Sequence, residues 1–467
     1  MSAGAAGLAG GPQRAALPLP VLKSARMWGH LSGDDRQIAR LALPALGALA
    51  TGPLYVLVDT AIIGHLGVAP LAALALAAVI LDAVSAFCNF LQYGTTPRVG
   101  RLHATGDDEG ARHVGQQGIL LALGIGVLLA LLLVGLTDPL LQALGASGRV
   151  QQLAGLYIRI ASIGLPFMLA AVAAEGYFRG IARLKTPMWV LLAANLLNVL
   201  LELLFVYGFG WGVAGSAWGT VLAQVVMALV FGWMIGAGRV AGRARPVTLS
   251  RLRPDWALLR SMLRVGSELL VRTCALYATF LIASAILARV GQASLAAHQI
   301  VFQLWNFLAL VLDSFAIAAQ VLVSHRLALG DREGARGAAA RTMLWGVVAG
   351  VSFAGLLLAL TGVLPEAFSS SSRVLDRVDA IWVIFALMLP LNGVVFALDG
   401  ILIGAGDTAF LARAMVPCMA LGYLPLALAA LVWHWGIVGV WCAIFAFMLA
   451  RLVAAASRYR GSRWTLH

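Results

Sequence analysis

Charge is what this sequence has least of. Only 11% of its 467 residues are Asp, Glu, Lys or Arg, against roughly 25% in a water-soluble domain. The remainder is dominated by apolar residues, 61% of the chain, with a mean hydropathy of +0.91, and a soluble globular fold is excluded. Cysteine is also sparse. Cys88, Cys274, Cys418 and Cys442 lie inside apolar stretches without paired spacing, so neither a disulfide framework nor a zinc site is expected. No G-x-x-x-x-G-K-[ST] occurs, which leaves drive by ATP bound to this chain unsupported. Residues 1–37 lack an uninterrupted apolar run; no cleaved signal peptide is expected, and the segment reads as a loosely ordered cytosolic tail.

What is present is a series of apolar blocks, near residues 38–62, 71–95, 115–136, 152–175, 188–207, 213–236, 263–288, 295–323, 342–361, 380–402, 411–433 and 436–456. Each is long enough to cross a bilayer as a helix, which takes about 20 residues. The net charge of +13 does not point to nucleic acid, because the basic residues sit in short loops between these blocks. With the N-terminus inside, nearly all of them fall on one side, against Arg149, Arg159, Arg289, Arg373 and Arg377 on the other and Arg272 within a span. That bias puts both termini in the cytosol, in a multi-pass plasma-membrane protein.

An internal repeat sets the architecture. The segment G-D-x-E-G-A-R occurs at Gly106 to Arg112 and again at Gly330 to Arg336, an offset of 224 that also pairs Pro166 with Pro390, Gly176 with Gly400, Gly180 with Gly404 and Trp211-Gly212 with Trp435-Gly436. Six spans per copy is an even number, so the halves are parallel repeats about an axis along the membrane normal. The expected fold is all-α and polytopic: twelve transmembrane helices in two six-helix lobes, 38–236 and 263–456, joined by a basic cytosolic linker at 237–262 and followed by a C-terminal tail at 457–467. Two such lobes around a cleft form a transporter arrangement. A channel or an intramembrane enzyme can also be built from a duplicated bundle, but no His/Glu metal motif or Ser/Lys pair occurs in facing spans.

A charge at mid-bilayer costs roughly 2.5–3.5 kcal/mol on insertion scales, so the acids inside the spans carry the functional signal. The offset sorts them. Glu175 matches Asp399, Asp82 matches Asn306 and Asn89 matches Asp313. Asp82, Asn89, Gln92 and Thr96 share one helical face, as do Gln299, Gln303, Asn306 and Asp313. These stripes read either as the inner walls of the lobes or as polar contacts between helices. Asp399 reads as a partner for a cationic substrate or for another helix. Glu268 and Arg272, four apart, are expected to neutralise each other, and His298 reads as a packing histidine. Asp59 differs, because its repeat partner is Ala283; likewise Asn198, Glu202 and Thr220 face Gly422, Leu426 and Ile444. A polar cluster is therefore expected in the N-terminal lobe alone, with Asp59 six residues after a helix-bending Pro53. Two carboxyls sharing a dry interior cannot both ionise cheaply, which makes a proton-binding site; the same oxygens also form a sodium donor set. No metal site and no cofactor are expected.

These residues resemble the MATE family of multidrug and toxic compound extrusion transporters, most closely its DinF-like branch. The pieces that carry the resemblance are P-x5-D-T-A-x-x-G-x-L-G from Pro53 to Gly67, F-L-x-Y-G-T-T from Phe90 to Thr96, A-H-Q-I from Ala297 to Ile300 and D-G-x-x-x-G-A-G-D-T from Asp399 to Thr408. The resemblance implies that Asp59 is similar to the first-helix aspartate whose protonation couples export to ion entry, with Asn198, Glu202 and Thr220 as the rest of that site. Glu202 stands where the family's pattern has an aspartate. The function expected is export of amphipathic or cationic organic compounds in exchange for protons by a monomer in the bilayer, with candidate cleft residues Asp399, Asp82, Gln92, Gln303, Asn306 and Asp313. Sodium exchange and the flipping of lipids or lipid-linked precursors are the alternatives.

Overall fold

Twelve helices of the computed structural model are long and apolar enough to cross a membrane: α1 (Gly33–Gly64), α2 (Val68–Ala104), α3 (Asp108–Ala143), α4 (Gly148–Gly180), α5 (Lys185–Gly208), α6 (Val213–Gly236), α7 (Trp256–Val290), α8 (Gln292–Ala328), α9 (Arg332–Ala359), α10 (Ser372–Ala405), α11 (Thr408–Val432) and α12 (Gly436–Arg460). The structure describes residues 33–236 and 253–465, and there is no strand among them. Residues 1–32 of the expected N-terminal tail, 237–252 of the expected linker and 466–467 lie outside the described residues. Several helices outrun their apolar blocks. The 37 residues of α8 span about 55 Å, well beyond a hydrocarbon core of about 30 Å, because hydropathy registers only the lipid-facing length of a helix.

The repeat is legible in the packing. The fourth helix of each lobe is its hub, α4 packing on α2, α3 and α6, and α10 on α8, α9 and α12. Glycines at equivalent positions let these helices meet at backbone distance. A Cβ at Gly176 would lie 2.7 Å from the Gln92 carbonyl oxygen, and one at Gly400 would lie 2.1 Å from that of Ala316. Gly126 rests on Pro166 as Gly350 rests on Pro390. Such small-residue seams replace the hydrophobic driving force that lipid removes. The outer surface is apolar, with Leu57, Leu128, Leu281 and Leu421 exposed, and Trp189, Trp211, Trp433 and Trp435 exposed near helix ends, where amphipathic rings favour the interface.

The lobes are joined chiefly at the face on which α1 and α7 begin, with Phe87 of α2 meeting Tyr277 farther along α7. The first helix of each lobe crosses to the other. Ile38, Leu41, Ala42 and Ala45 of α1 pack with Ile317, Ala318, Val321 and Leu322 of α8, while Asp35 accepts from Arg341 and from Trp345 Nε1 at 2.9 Å and Asp34 pairs with Arg326. On the other side, Gln117 of α3 brackets the start of α7, donating to the Arg253 carbonyl at 2.9 Å and accepting from the Asp255 N–H at 3.0 Å. Asp255 caps α7, and the Leu258 N–H it accepts holds its carboxyl below the usual aspartate range, with His113 adding to the effect. Arg98 bonds the Ser261 carbonyl, Arg101 that of Ala405, and His325 that of Gly180. Toward the opposite face each lobe has its own apolar core.

Candidate functional site

The N-terminal lobe gathers the residues that the repeat left unmatched. Asp59 of α1, Asn198 and Glu202 of α5 and Thr220 of α6 are drawn together, with Glu202 fully buried and Asp59 5% exposed. The spacing of Asn195, Asn198 and Glu202 puts them on one face of α5. Asn195 Nδ2 donates to the Thr51 carbonyl at 3.0 Å, and Asn198 Nδ2 to Thr220 Oγ1 at 3.2 Å. Gly219 on α6 gives Glu202 its room, since a Cβ there would lie 3.1 Å from Glu202 Cγ. Directly after Glu202, α5 widens into a π turn over Leu203–Gly208, a departure often found at functional sites; there Tyr207 donates to the Ile62 carbonyl at 2.7 Å and ties α5 to α1.

Two participants were missed by sequence reasoning. Ser216 Oγ lies 2.8 Å from Asp59 Oδ1 and 2.9 Å from Glu202 Oε1, and the Tyr55 hydroxyl lies 2.9 Å from Thr220 Oγ1. Their repeat partners are Val440 and Thr279, so the comparison that singled out Thr220 would also have put Ser216 on the unmatched list. A serine hydroxyl carries one proton and can donate it once. Both contacts are hydrogen bonds only when one of the two carboxyls carries a proton of its own. Asn198 Oδ1 and Glu202 Oε2 are buried without a partner.

The C-terminal lobe corrects an expectation. Glu268 and Arg272 do not pair with each other. Thr408 Oγ1 donates to Glu268 Oε2 at 2.6 Å, and Arg272 turns to Asp399, which also accepts from Arg451 Nη2 at 2.6 Å. The reason is burial: Asp399 is 7% exposed, and an unpaired buried charge costs far more than a half-buried one. Arg451, inside the twelfth apolar block, is 6% exposed. Of the two readings of Asp399, the structure holds it by helix partners. Its repeat equivalent Glu175 accepts from Gln92 Nε2 at 2.7 Å, with Arg179 at 3.7 Å. Gln92 is thus buried against Glu175 and does not line an open wall. Asp82, Gln303 and Asn306 are exposed, and Asp313 is half-buried. Asp82 lies on the side of α2 that meets Tyr277 of the other lobe. His298 packs between Phe302 and Trp441, with Ser284 Oγ 3.3 Å from Nε2. Among the described residues no three His, Cys, Asp or Glu side chains are grouped to hold a metal ion.

Comparison with known proteins agrees with this duplicated architecture. The MatE family model matches twice, at residues 44–204 and 269–429. The chain is similar to Protein DETOXIFICATION 44, chloroplastic, of Arabidopsis thaliana, 31% identical over 436 residues covering 90% of this chain and 81% of the relative. It is also similar to DNA damage-inducible protein F of Escherichia coli (strain K12), 28% identical over 442 residues covering 92% and 93%. Among solved structures, the outward-facing conformation of a multidrug resistance MATE family transporter of the MOP superfamily superposes with a TM-score of 0.80 at 20% identity, over 92% of this chain and 95% of that one. With a family model covering most of both lobes and a relative 31% identical over 90% of this chain, the chain belongs to the MatE family.

Proposed function

We propose that this protein is a secondary antiporter that exports amphipathic organic compounds, cationic ones among them, in exchange for protons bound by Asp59 and Glu202. Membership of the MatE family supports export. The observation that carries the coupling is the single hydroxyl of Ser216 between two buried carboxyl oxygens at 2.8 and 2.9 Å, an arrangement that calls for one shared proton at the pair. In the proposed cycle, protons from outside neutralise the pair, and α1 repacks against α5 and α6. Because the start of the same helix is clamped to α8 and α9, repacking at Asp59 bears on the joint between the lobes. Proton loss on the cytosolic side, where both termini lie in this reading, resets the pair.

Sodium is the second reading, favoured by Asn198 Oδ1 and Glu202 Oε2, two buried oxygens without a donor beside Asp59, which suit a hard cation that takes oxygen ligands. Proteoliposomes separate the two. A pH gradient alone is expected to drive export and a sodium gradient alone is not; the reverse outcome assigns sodium. Asp59→Asn is expected to abolish gradient-driven export while substrate binding persists, and undiminished export by that variant would reject the coupling role.

A further inference from the structure

Directly beyond Glu202, α5 closes a π turn over Leu203–Gly208, and the Phe209 N–H donates to the Leu204 carbonyl, five residues back, at 2.9 Å. In an unbroken α-helix, residues five apart point about 140° away from each other. A π turn stacks them, so Glu202 and Tyr207 lie on one side of α5. Both reach α1. Glu202 meets Asp59 through Ser216, and the Tyr207 hydroxyl donates to the Ile62 carbonyl at 2.7 Å. Asp59 and Ile62 are three apart and share a face of α1.

The carbonyl that Tyr207 takes has no partner inside its own helix, as holds for the whole last turn. Of the other three, Ile63 accepts from the Leu66 N–H and Gly64 from the Gly67 N–H, and His65 Nδ1 lies 2.7 Å from the Ala61 carbonyl. Tyr207 thus completes the end of α1 from a neighbouring helix. From the other side, α6 seats on the same turn. A Cβ at Gly215 would lie 2.8 Å from the Phe205 carbonyl carbon and 2.9 Å from the Val206 nitrogen, and the next residue is Ser216. One turn of backbone therefore fixes how far α1 and α6 stand from Glu202.

The repeat isolates the device. The glycine seat is common to both lobes, Gly439 resting on Ala430. The rest is not. Tyr207 is matched by Leu431, and the segment equivalent to 203–208 is ordinary α-helix; the π turn of the C-terminal lobe, Cys418–Tyr423, comes earlier in α11. The turn and its tyrosine occur beside the carboxyl pair, and are missing where Ala283 and Leu426 replace that pair.

We infer that this π turn is the positioning element of the coupling pair, and that Tyr207 is the positioning residue that holds α1 on it so that Ser216 can span Asp59 and Glu202. The inference rests on the coupling reading given above and deepens it. Without the hydroxyl the end of α1 is freed and the carboxyls separate. Less repulsion then opposes ionising both, and export needs a higher proton concentration. Besides each other, the titratable groups facing the pair among the described residues are the hydroxyls of Tyr55 on α1 and Tyr157 on α4, both neutral at ordinary pH. Asn198 of α5 and Ser216 and Thr220 of α6 add no charge.

Export by the full-length protein in proteoliposomes, measured over a series of pH values on the proton-donating side, tests the role. Tyr207 is 49% exposed, so Tyr207→Phe removes one hydroxyl without opening a cavity. It should lower the pH of half-maximal export by roughly half to one unit, the scale of one neutral hydrogen bond. The maximal rate at low pH and substrate binding in nanodiscs should be retained. Gly215→Ala, acting from α6, should move the profile in the same sense. Tyr459→Phe, which removes a hydroxyl 3.5 Å from the Arg336 carbonyl, should leave it in place. An unmoved profile in Tyr207→Phe, a shift to higher pH, or a loss equal at every pH overturns the proposal. Parent export that follows sodium and not pH overturns the proton reading instead. The half-maximal sodium concentration should then rise about three- to tenfold in Tyr207→Phe, and an unmoved one overturns the positioning role as well.

Discussion

Ser216 and Asp399 are the two side chains on which most of the buried charge turns. Ser216 spans Asp59 and Glu202, so Ser216→Ala should slow proton-driven export about tenfold, the worth of one hydrogen bond to a charged group. It should also displace the pH profile of export in proteoliposomes, whereas a merely structural serine would lower the rate equally at every pH. Asp399 holds two buried arginines. Asp399→Asn is expected to destabilise the protein by about 3–5 kcal/mol, as does breaking a buried pair, and Glu268→Gln by about 1 kcal/mol or less, because Glu268 is half-buried and its partner is a threonine hydroxyl. Thermal unfolding of the two variants in the same nanodiscs checks the order. Sequence reasoning found Asp59, Asn198, Glu202 and Thr220 because each lacks a polar counterpart in the other half. It missed Ser216, since a lone serine in a helix looks like any small packing residue.

At the scale of elements, the seam between α8 and α10 leaves no room for added side chains. Gly400 abuts the Ala316 backbone, and Gly404 that of Gln320. Gly400→Ala should cost about 1–3 kcal/mol by overpacking, while Gly135→Ala on α3, with nothing within 4 Å, should stay within about 0.5 kcal/mol. The melting midpoints of the two purified variants test this. These glycines were visible in the sequence as a repeat, but not their purpose, because only the crossing of two helices shows which face must be bare. The pairing expected between Glu268 and Arg272 failed at the same scale: spacing along one helix fixes which side chains are neighbours, and the third element, α10, decided where the arginine turned.

At the scale of the whole molecule, two crossing helices join the lobes. The lobes share apolar cores and hydrogen bonds at the face where α1 and α7 begin, and have separate cores toward the other. The clamps on the two crossing helices are equivalent in position and unequal in chemistry, since Gln117 and Arg341 are repeat partners 224 residues apart. One brackets the start of α7 with a neutral amide, and the other holds the buried Asp35 with a guanidinium. Asp35→Asn should therefore loosen the charged clamp, and spin labels at Thr105 and Leu329 should report a longer-distance population than in the parent protein. The charge swap Asp35→Arg with Arg341→Asp should restore the short distance; an unchanged distribution in Asp35→Asn would assign the closure to apolar packing instead.

The scarcity of charge and the twelve apolar blocks fixed a helical membrane protein before any coordinates, and the 224-residue offset fixed two parallel lobes, because burial in lipid and internal duplication are properties of the chain read in order. The lopsided acidic pocket was legible for the same reason. What only the tertiary structure decided was which charges meet: Arg272 and Arg451 on Asp399, Ser216 between two carboxyls, α1 reaching into the opposite lobe. Those contacts join residues distant in sequence, and in a low-dielectric interior each buried charge takes the partner that packing brings within reach, whatever stands beside it along the helix.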